Sequence, residues 1–324
     1  MEIAAPDLAQ WEDSPVGVPY VHERIAGVGS SARHGDAARP EVLITALVHG
    51  NEYSGALALD EFLRSSLQPW HGRITAVFCN MEAFARFDPR QPDASRFVDQ
   101  DFNRVWSSMQ LDGPARSAEL LRAREIRPYV ERATHLLDLH SMHEPCPSLL
   151  VTGPLARNIA FAQSLGTASQ VVADAGHADG TRMRDYGGFG DAHGSRIALL
   201  LEAGQHWERA SLQVARDVLM RFLLNAGALH RTQVPAGWLL PDDAAAPLPV
   251  QVTHRVVAQS MAFTFTQDFR GGETIRRAGT VIAHDGGEPV RTPYDDCVLV
   301  MPSVRQLRPG VTTVRLGRHV RDVI

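Results

Sequence analysis

Short apolar, β-rich runs alternate with helical periodicity over the first two thirds of the chain. Glu41 to Val48 (EVLITALV) reads as a strand ending at His49-Gly50, and Ala56, Leu59, Phe62 and Leu63 then form one face of a helix. Arg73 to Cys79 (RITAVFC) predicts a second strand, ending at Asn80. From Met81 to Asp112 the chain is polar and lacks a clear period; a segment that long is more often a functional loop than a connector. Pro114 suits the first position of a helix, which the sequence carries towards Ala133 with a kink at Pro128. Leu136, Leu137 and Leu139 mark a third strand that terminates at His140. Leu149 to Thr152, Gln170 to Ala173 and Arg196 to Leu201 (RIALLL) add further strands, and a helix from about Glu208 to Leu224 closes this part.

The pattern then changes. Ala236 to Pro249 holds proline, glycine and a run of alanines, which reads as a boundary. Beyond it lie short β-type stretches such as Val281-Ile282-Ala283 and Cys297 to Val300. Gly271-Gly272, Asp285-Gly286-Gly287 and Arg308-Pro309-Gly310 separate them as tight turns. The expectation is an α/β domain over residues 1–232, a mixed sheet flanked by helices, followed by a smaller all-β domain over residues 233–324.

Composition narrows the chemistry. The 32 basic residues are all arginine, so Schiff-base, phosphate-loop-lysine and carrier-lysine chemistry are excluded. A net charge of −5 without a basic block gives no reason to expect nucleic acid. Three separated cysteines do not form a disulfide framework. Met1 to Pro19 shows no export signal and no apolar stretch approaches the ~20 residues that cross a bilayer, so a cytoplasmic protein with no membrane partner is expected.

His49-Gly50-Asn51-Glu52 is a H-x-x-E at a strand end, where imidazole and carboxylate can converge on one zinc ion. Alone it is weak, because with 14 histidines about one such spacing arises by chance. His140 ends another predicted strand, in Asp138-Leu139-His140-Ser141, and parallel strands deliver such ends to one ligand-binding edge. His49, Glu52 and His140 are therefore the candidate ligands of one Zn2+ per chain, with an open position for water. Asp138 lies on the same side of its strand as His140 and could orient it. His143 is a rival ligand, and Cys146 reads as a buried thiol rather than a thiolate ligand. Glu202, after the apolar Ile197 to Leu201, is the candidate proton acceptor; a cap or ion-pair role competes, and Glu52 could serve as base instead.

In the loop, Asn103-Arg104 could hold a substrate carboxylate, and Arg96 could polarise the scissile carbonyl. Asp99 and Asp101 could equally pair with these arginines on the surface.

Together, H-G-N-E after a strand, an Arg five residues before D-x-N-R, D-L-H-S at a later strand end and E-x-G before a helix resemble the aspartoacylase/succinylglutamate desuccinylase family, relatives of the zinc carboxypeptidases. The resemblance spans roughly His49 to Gln205. It implies a zinc-dependent amidohydrolase acting on an N-acyl amino acid or a similar small carboxylate-bearing amide. It also implies that His49, Glu52 and His140 bind zinc, that Glu202 and Arg96 are catalytic, and that Asn103 and Arg104 hold the substrate's carboxylate. A metallocarboxypeptidase acting on peptides, or a non-catalytic metal- or ligand-binding relative, is the alternative. The chain departs from the family in having Met81-Glu82 after Asn80, where a proline commonly follows shortly, and a longer loop from Arg86 to Ser95. A further substrate-selecting arginine is left open among Arg182, Arg184 and Arg196. The C-terminal part has a plan similar to biotinyl and lipoyl half-barrels; without lysine it is expected to wall the active-site channel, and whether Tyr294 contacts substrate is left open with the three arginines. Acyl and amino acid specificity, and the choice between monomer and homo-oligomer, are not set by sequence.

Overall fold

The computed structural model describes residues 1–27, 39–167, 169–176, 180–242 and 248–321. The predicted alanine run, Ala244 to Ala246, lies outside the described residues. The first part carries β1 (Val21–Ile25), β2 (Glu41–Ala46), β3 (Arg73–Phe78), β4 (His135–Met142), β5 (Leu149–Val151), β6 (Gln170–Ala173) and β7 (Ile197–Gln205). Its longer helices are α1 (Ser54–Arg64), α2 (Ala118–Arg132), α3 (Ala156–Ser164) and α4 (Arg209–Asn225). The C-terminal part adds β8 (Val250–Val257), β9 (Phe263–Phe265), β10 (Thr274–Ile275), β11 (Val281–Asp285), β12 (Glu288–Arg291), β13 (Cys297–Val300) and β14 (Thr312–His319).

Eleven strands form one sheet in the order β1-β3-β2-β4-β7-β5-β6-β8-β14-β13-β10, beside a three-stranded sheet β12-β11-β9. The centre, β3-β2-β4-β7, is parallel, so β2, β4 and β7 deliver their C-terminal ends to the same edge. β6 pairs in parallel with β8, and the main sheet continues through that ladder into the C-terminal strands.

The two-residue period of the central strands decides which side chains face which layer. Leu137, Leu139, Leu199 and Leu201 pack with Leu59, Phe62, Leu219 and Phe222 of α1 and α4. Leu136 and Ala198 face the other way, towards Trp106 and the α2 residues Ile126 and Val130. Asp138 and His140 share the face of Leu136, while Glu202 shares that of Ala198. Chemistry and core thus occupy alternate positions of the same strands.

Three expectations need correction. The helix predicted from Pro114 begins at Ala118, because the Ser117 hydroxyl accepts from the Leu120 N–H as cap and Asp99 Oδ2 accepts from the Ala118 N–H. β4 continues past His140 to Met142, because β7 goes on pairing with it beyond a register irregularity. The segment from Met81 to Asp112 is mostly loop, as expected, but contains short helical turns such as Met81–Phe84 and Ser108–Leu111. Among the described residues, no helix is long and apolar enough to cross a membrane.

Candidate metal centre

His49 to Glu52 make the turn between β2 and α1, with the Glu52 N–H donating to the His49 carbonyl at 3.1 Å. Gly50 is needed there: a Cβ would lie 2.4 Å from the Ser95 carbonyl oxygen and 2.5 Å from the Phe84 nitrogen. Only glycine lets the turn approach the loop backbone so closely.

The turn aims both side chains at His140. His49 Nδ1 is 2.8 Å from Glu52 Oε1 and His140 Nδ1 is 2.9 Å from Glu52 Oε2, with the rings 5.1 Å apart. One ligand atom from each of the three residues lies within 4.8 Å of the others, and all three side chains are buried. The outer nitrogens are held as well: His49 Nε2 sits 3.1 Å from Asp101 Oδ1, and His140 Nε2 2.8 Å from Asp138 Oδ2. Thr45, the cross-strand neighbour of Asp138, donates to Asp138 Oδ1 at 2.7 Å. Two imidazoles presenting Nδ1 to one point, each braced through Nε2 by its own carboxylate, are the donor set and outer shell that fit a divalent cation. His143 lies elsewhere, 3.1 Å from His206.

Asp101 does pair with Arg96, at 3.5 Å, and stands near Arg104, but it does so inside the site, where it also braces His49. Glu119 carried no sequence signal. It is fully buried in the first turn of α2, and its carboxylate accepts the N–H groups of Val98, Asp99 and Gln100 at 2.7, 3.1 and 3.2 Å and the Asn80 amide at 3.0 Å. That clamp holds the loop carrying Arg96 and Arg104 over the centre.

Arg96 Nη1 donates to Glu52 Oε1 at 3.0 Å, and its Nη2 lies 3.0 Å from His49 Nε2. Arg104 Nη1 donates to the Asn103 carbonyl at 2.8 Å, and its Nη2 is 4.0 Å from Asp101 Oδ2. The buried Asn103 departs from a free substrate donor. Its Nδ2 donates to Asp138 Oδ2 at 3.4 Å and its Oδ1 accepts from the Met183 N–H at 3.0 Å, so its amide is engaged inside the protein. Glu202 stands beside His140 in the ladder, and its Oε2 is buried with no hydrogen-bond partner. Gly204, two residues on, has φ +124°, a left-handed-side conformation that glycine accepts readily.

The electrostatics separate the two glutamates. Burial pushes Glu52 up, but the His49 and His140 imidazoles together bring it well below the ordinary carboxylate range. Burial and the Glu52 charge push Glu202 up to about 8, against the weaker pull of His140 and Arg96. Burial lowers His140, yet Asp138 and Glu52 hold it well above the ordinary imidazole value. The two neighbouring carboxyls are thus driven in opposite directions, which makes them candidates for different roles.

A cavity of about 470 Å3 opens over the centre. Arg96, Arg104, Arg182 and Glu202 line it from one side, and Met301, Gln306 and Val311 of the C-terminal part from the other. Of the three candidate arginines, Arg182 lines the cavity, where it pairs with Asp174 at 3.3 Å. Arg184 is sealed beneath Gly153, and Arg196 packs by Phe189 with 5.9 Å from guanidinium to ring centre. Tyr294 does not reach the cavity. It pairs with Thr253 at 2.5 Å under Arg318, before the start of β13, whereas the cavity is lined by Val300 and Met301 at the far end of that strand. Cys146 lines the cavity, and burial pushes its thiol up to about 11, which suits an uncharged thiol.

A mixed sheet whose parallel strands carry this His–Glu–His cluster at one edge defines an α/β protein with a candidate metal centre. The family model for the succinylglutamate desuccinylase/aspartoacylase catalytic domain matches residues 38–223, and the chain belongs to that family. No curated protein matches the chain. Among solved structures, it is similar to succinylglutamate desuccinylase from Vibrio cholerae, with 20% identity and TM-score 0.64 over 88% of this chain and 83% of that one. It is also similar to a succinylglutamate desuccinylase/aspartoacylase from Rhodobacter sphaeroides, with 19% identity and TM-score 0.64 over 88% and 87%. Murine aminoacylase 3 matches with 18% identity and TM-score 0.56 over 88% and 97%. At these identities the likeness establishes the fold.

Proposed function

We propose that the protein is a zinc-dependent amidohydrolase that cleaves the C–N bond of an N-acyl amino acid or a similar small carboxylate-bearing amide. The observation that carries this reading is two buried imidazoles turned through Nδ1 onto Glu52 while a second glutamate, Glu202, keeps a buried oxygen without a partner in the same cavity. His49, Glu52 and His140 would hold the cation. When bound, zinc supplies Lewis-acid chemistry that activates water, polarises a carbonyl and draws the neighbouring Glu202 carboxyl down.

The chain's own groups do the rest. Glu202 accepts the proton of the attacking water and returns it to the departing amine nitrogen. Arg96, a fixed positive charge, stabilises the negative charge that develops on the carbonyl oxygen. Arg104 binds the substrate's carboxylate, and Asn103 braces the Asp138–His140 pair beside it.

Metal analysis coupled to a screen of N-acyl amino acids tests the reading. About one zinc per chain with amide cleavage is expected. Release of C-terminal residues from oligopeptides instead would point to a carboxypeptidase, and bound metal with no cleavage to a binding protein. Arg104→Ala should raise KM for free-carboxylate substrates by roughly 10- to 100-fold, the worth of a charge-assisted hydrogen bond, while sparing the matching carboxamides. An equal loss on both would remove Arg104 from carboxylate recognition. Asp101→Asn should weaken zinc binding by about 10- to 100-fold, as loss of an orienting carboxylate does. Competition against a chromogenic chelator measures it, and unchanged affinity would make the Asp101–His49 contact incidental.

A further inference from the structure

Beside the metal centre lies an array, running from buried Ser141 and His206 to half-buried His143 and Gln306, that the reaction above does not use. Ser141 follows His140 in β4. Its N–H donates to Glu52 Oε2 at 3.2 Å, and its Oγ lies 2.8 Å from His206 Nδ1. His206, at the end of β7, is completely buried, and its Nε2 is 3.1 Å from His143 Nδ1. The outer nitrogen of His143, Nε2, is 3.0 Å from the side-chain amide nitrogen of Gln306, in the segment between β13 and β14 that walls the cavity.

The direction of each hydrogen bond follows from its neighbour. An amide NH2 only donates, so His143 Nε2 accepts from Gln306. Burial lowers both imidazoles, with Arg96 adding to the effect at His143 and His206 brought to about 3, which favours neutral rings carrying one proton each. His143 therefore bears its proton on Nδ1, a placement that Asp93 Oδ1, 3.2 Å from the same nitrogen, also favours. His143 Nδ1–H donates to His206 Nε2, which leaves the His206 proton on Nδ1, and that group donates to Ser141 Oγ. Ser141 Oγ has no other hydrogen-bond partner among the described residues, and Ser141 lines the cavity.

We propose that Gln306 sets the tautomers of His143 and His206, and thereby turns the Ser141 hydroxyl proton into the cavity as a donor to an oxygen of the bound substrate. His143, His206 and Gln306 are positioning residues that act through Ser141. The acceptor's identity rests on the amidohydrolase reading; the tautomer chain does not.

Nitrogen NMR of the full chain labelled with 15N-histidine tests the chain directly. Between pH 6 and 8, His143 and His206 should both be neutral with the proton on Nδ1. Gln306→Leu should move His143 measurably towards the Nε2–H form, with His206 following. In parallel, Ser141→Ala should lower kcat/KM on N-acetyl amino acids about tenfold at unchanged zinc content, the worth of one neutral hydrogen bond. His206→Asn, whose amide nitrogen overlays Nδ1, should keep more of that activity than His206→Gln, whose amide nitrogen overlays Nε2. A His206 proton on Nε2, or imidazole shifts unmoved by Gln306→Leu, would overturn the tautomer assignment. Equal kcat/KM for wild type and Ser141→Ala would overturn the hydroxyl's role. If wild type cleaves no N-acetyl amino acid while the NMR result holds, the hydrolase reading fails and the tautomer relay stands.

Discussion

Glu202→Gln is expected to lower kcat by roughly a hundred- to ten-thousand-fold, the range that a positioned general base and acid supplies, with zinc content unchanged. The amide keeps the shape of the carboxyl but cannot take a proton from water. Retained metal is expected because Glu202 is not among the three converging side chains, and its Oε2 makes no hydrogen bond. Burial and the Glu52 charge already raise the Glu202 carboxyl to about 8, so an uncharged amide of the same shape is compatible with folding. Turnover equal to wild type, measured alongside elemental analysis of the same sample, would take Glu202 out of the reaction.

His140→Ala is expected to strip the metal. It removes one of three donors, so the loss in zinc affinity should exceed the roughly 10- to 100-fold expected for an orienting carboxylate. It also leaves Glu52 and Asp138 buried without the imidazole that each contacts, at 2.9 and 2.8 Å. Glu52 keeps His49 and Arg96 and Asp138 keeps Thr45 and Asn103, so the cost is below the roughly 3–5 kcal/mol of a wholly unpaired buried charge, and a lower Tm should accompany the missing metal. His140→Asn retains a small polar group and serves as the better-folded check. Stoichiometric zinc in both variants would show that His140 is not a ligand.

Much of the centre is legible in the sequence because strands announce themselves. A run such as Ile197 to Leu201 that stops at a carboxylate, or Leu136 to Leu139 that stops at an imidazole, states where a polar side chain meets the sheet edge. The two-residue period then places Asp138 behind His140, and both stand on that face. The parallel order β2-β4-β7 turns those local facts into one site.

Other contacts lie beyond any local pattern. In sequence Asp101 is open to surface pairing with the arginines and Glu119 carries no signal, yet one braces His49 and the other is wholly buried beneath the loop backbone. Tyr294 is equally ambiguous until β13 separates it from the cavity. The sequence alone determined the central strands, the face on which each reactive side chain stands and, through the absence of lysine, the chemistries that are closed. Only the tertiary structure decided which carboxylate braces which imidazole and which C-terminal residues wall the cavity. The reason is physical: backbone periodicity repeats every two to four residues and is written locally. The partner of a buried charge is chosen by long-range packing, which brings together residues 52 positions apart, as His49 and Asp101 are, without leaving a pattern in either segment.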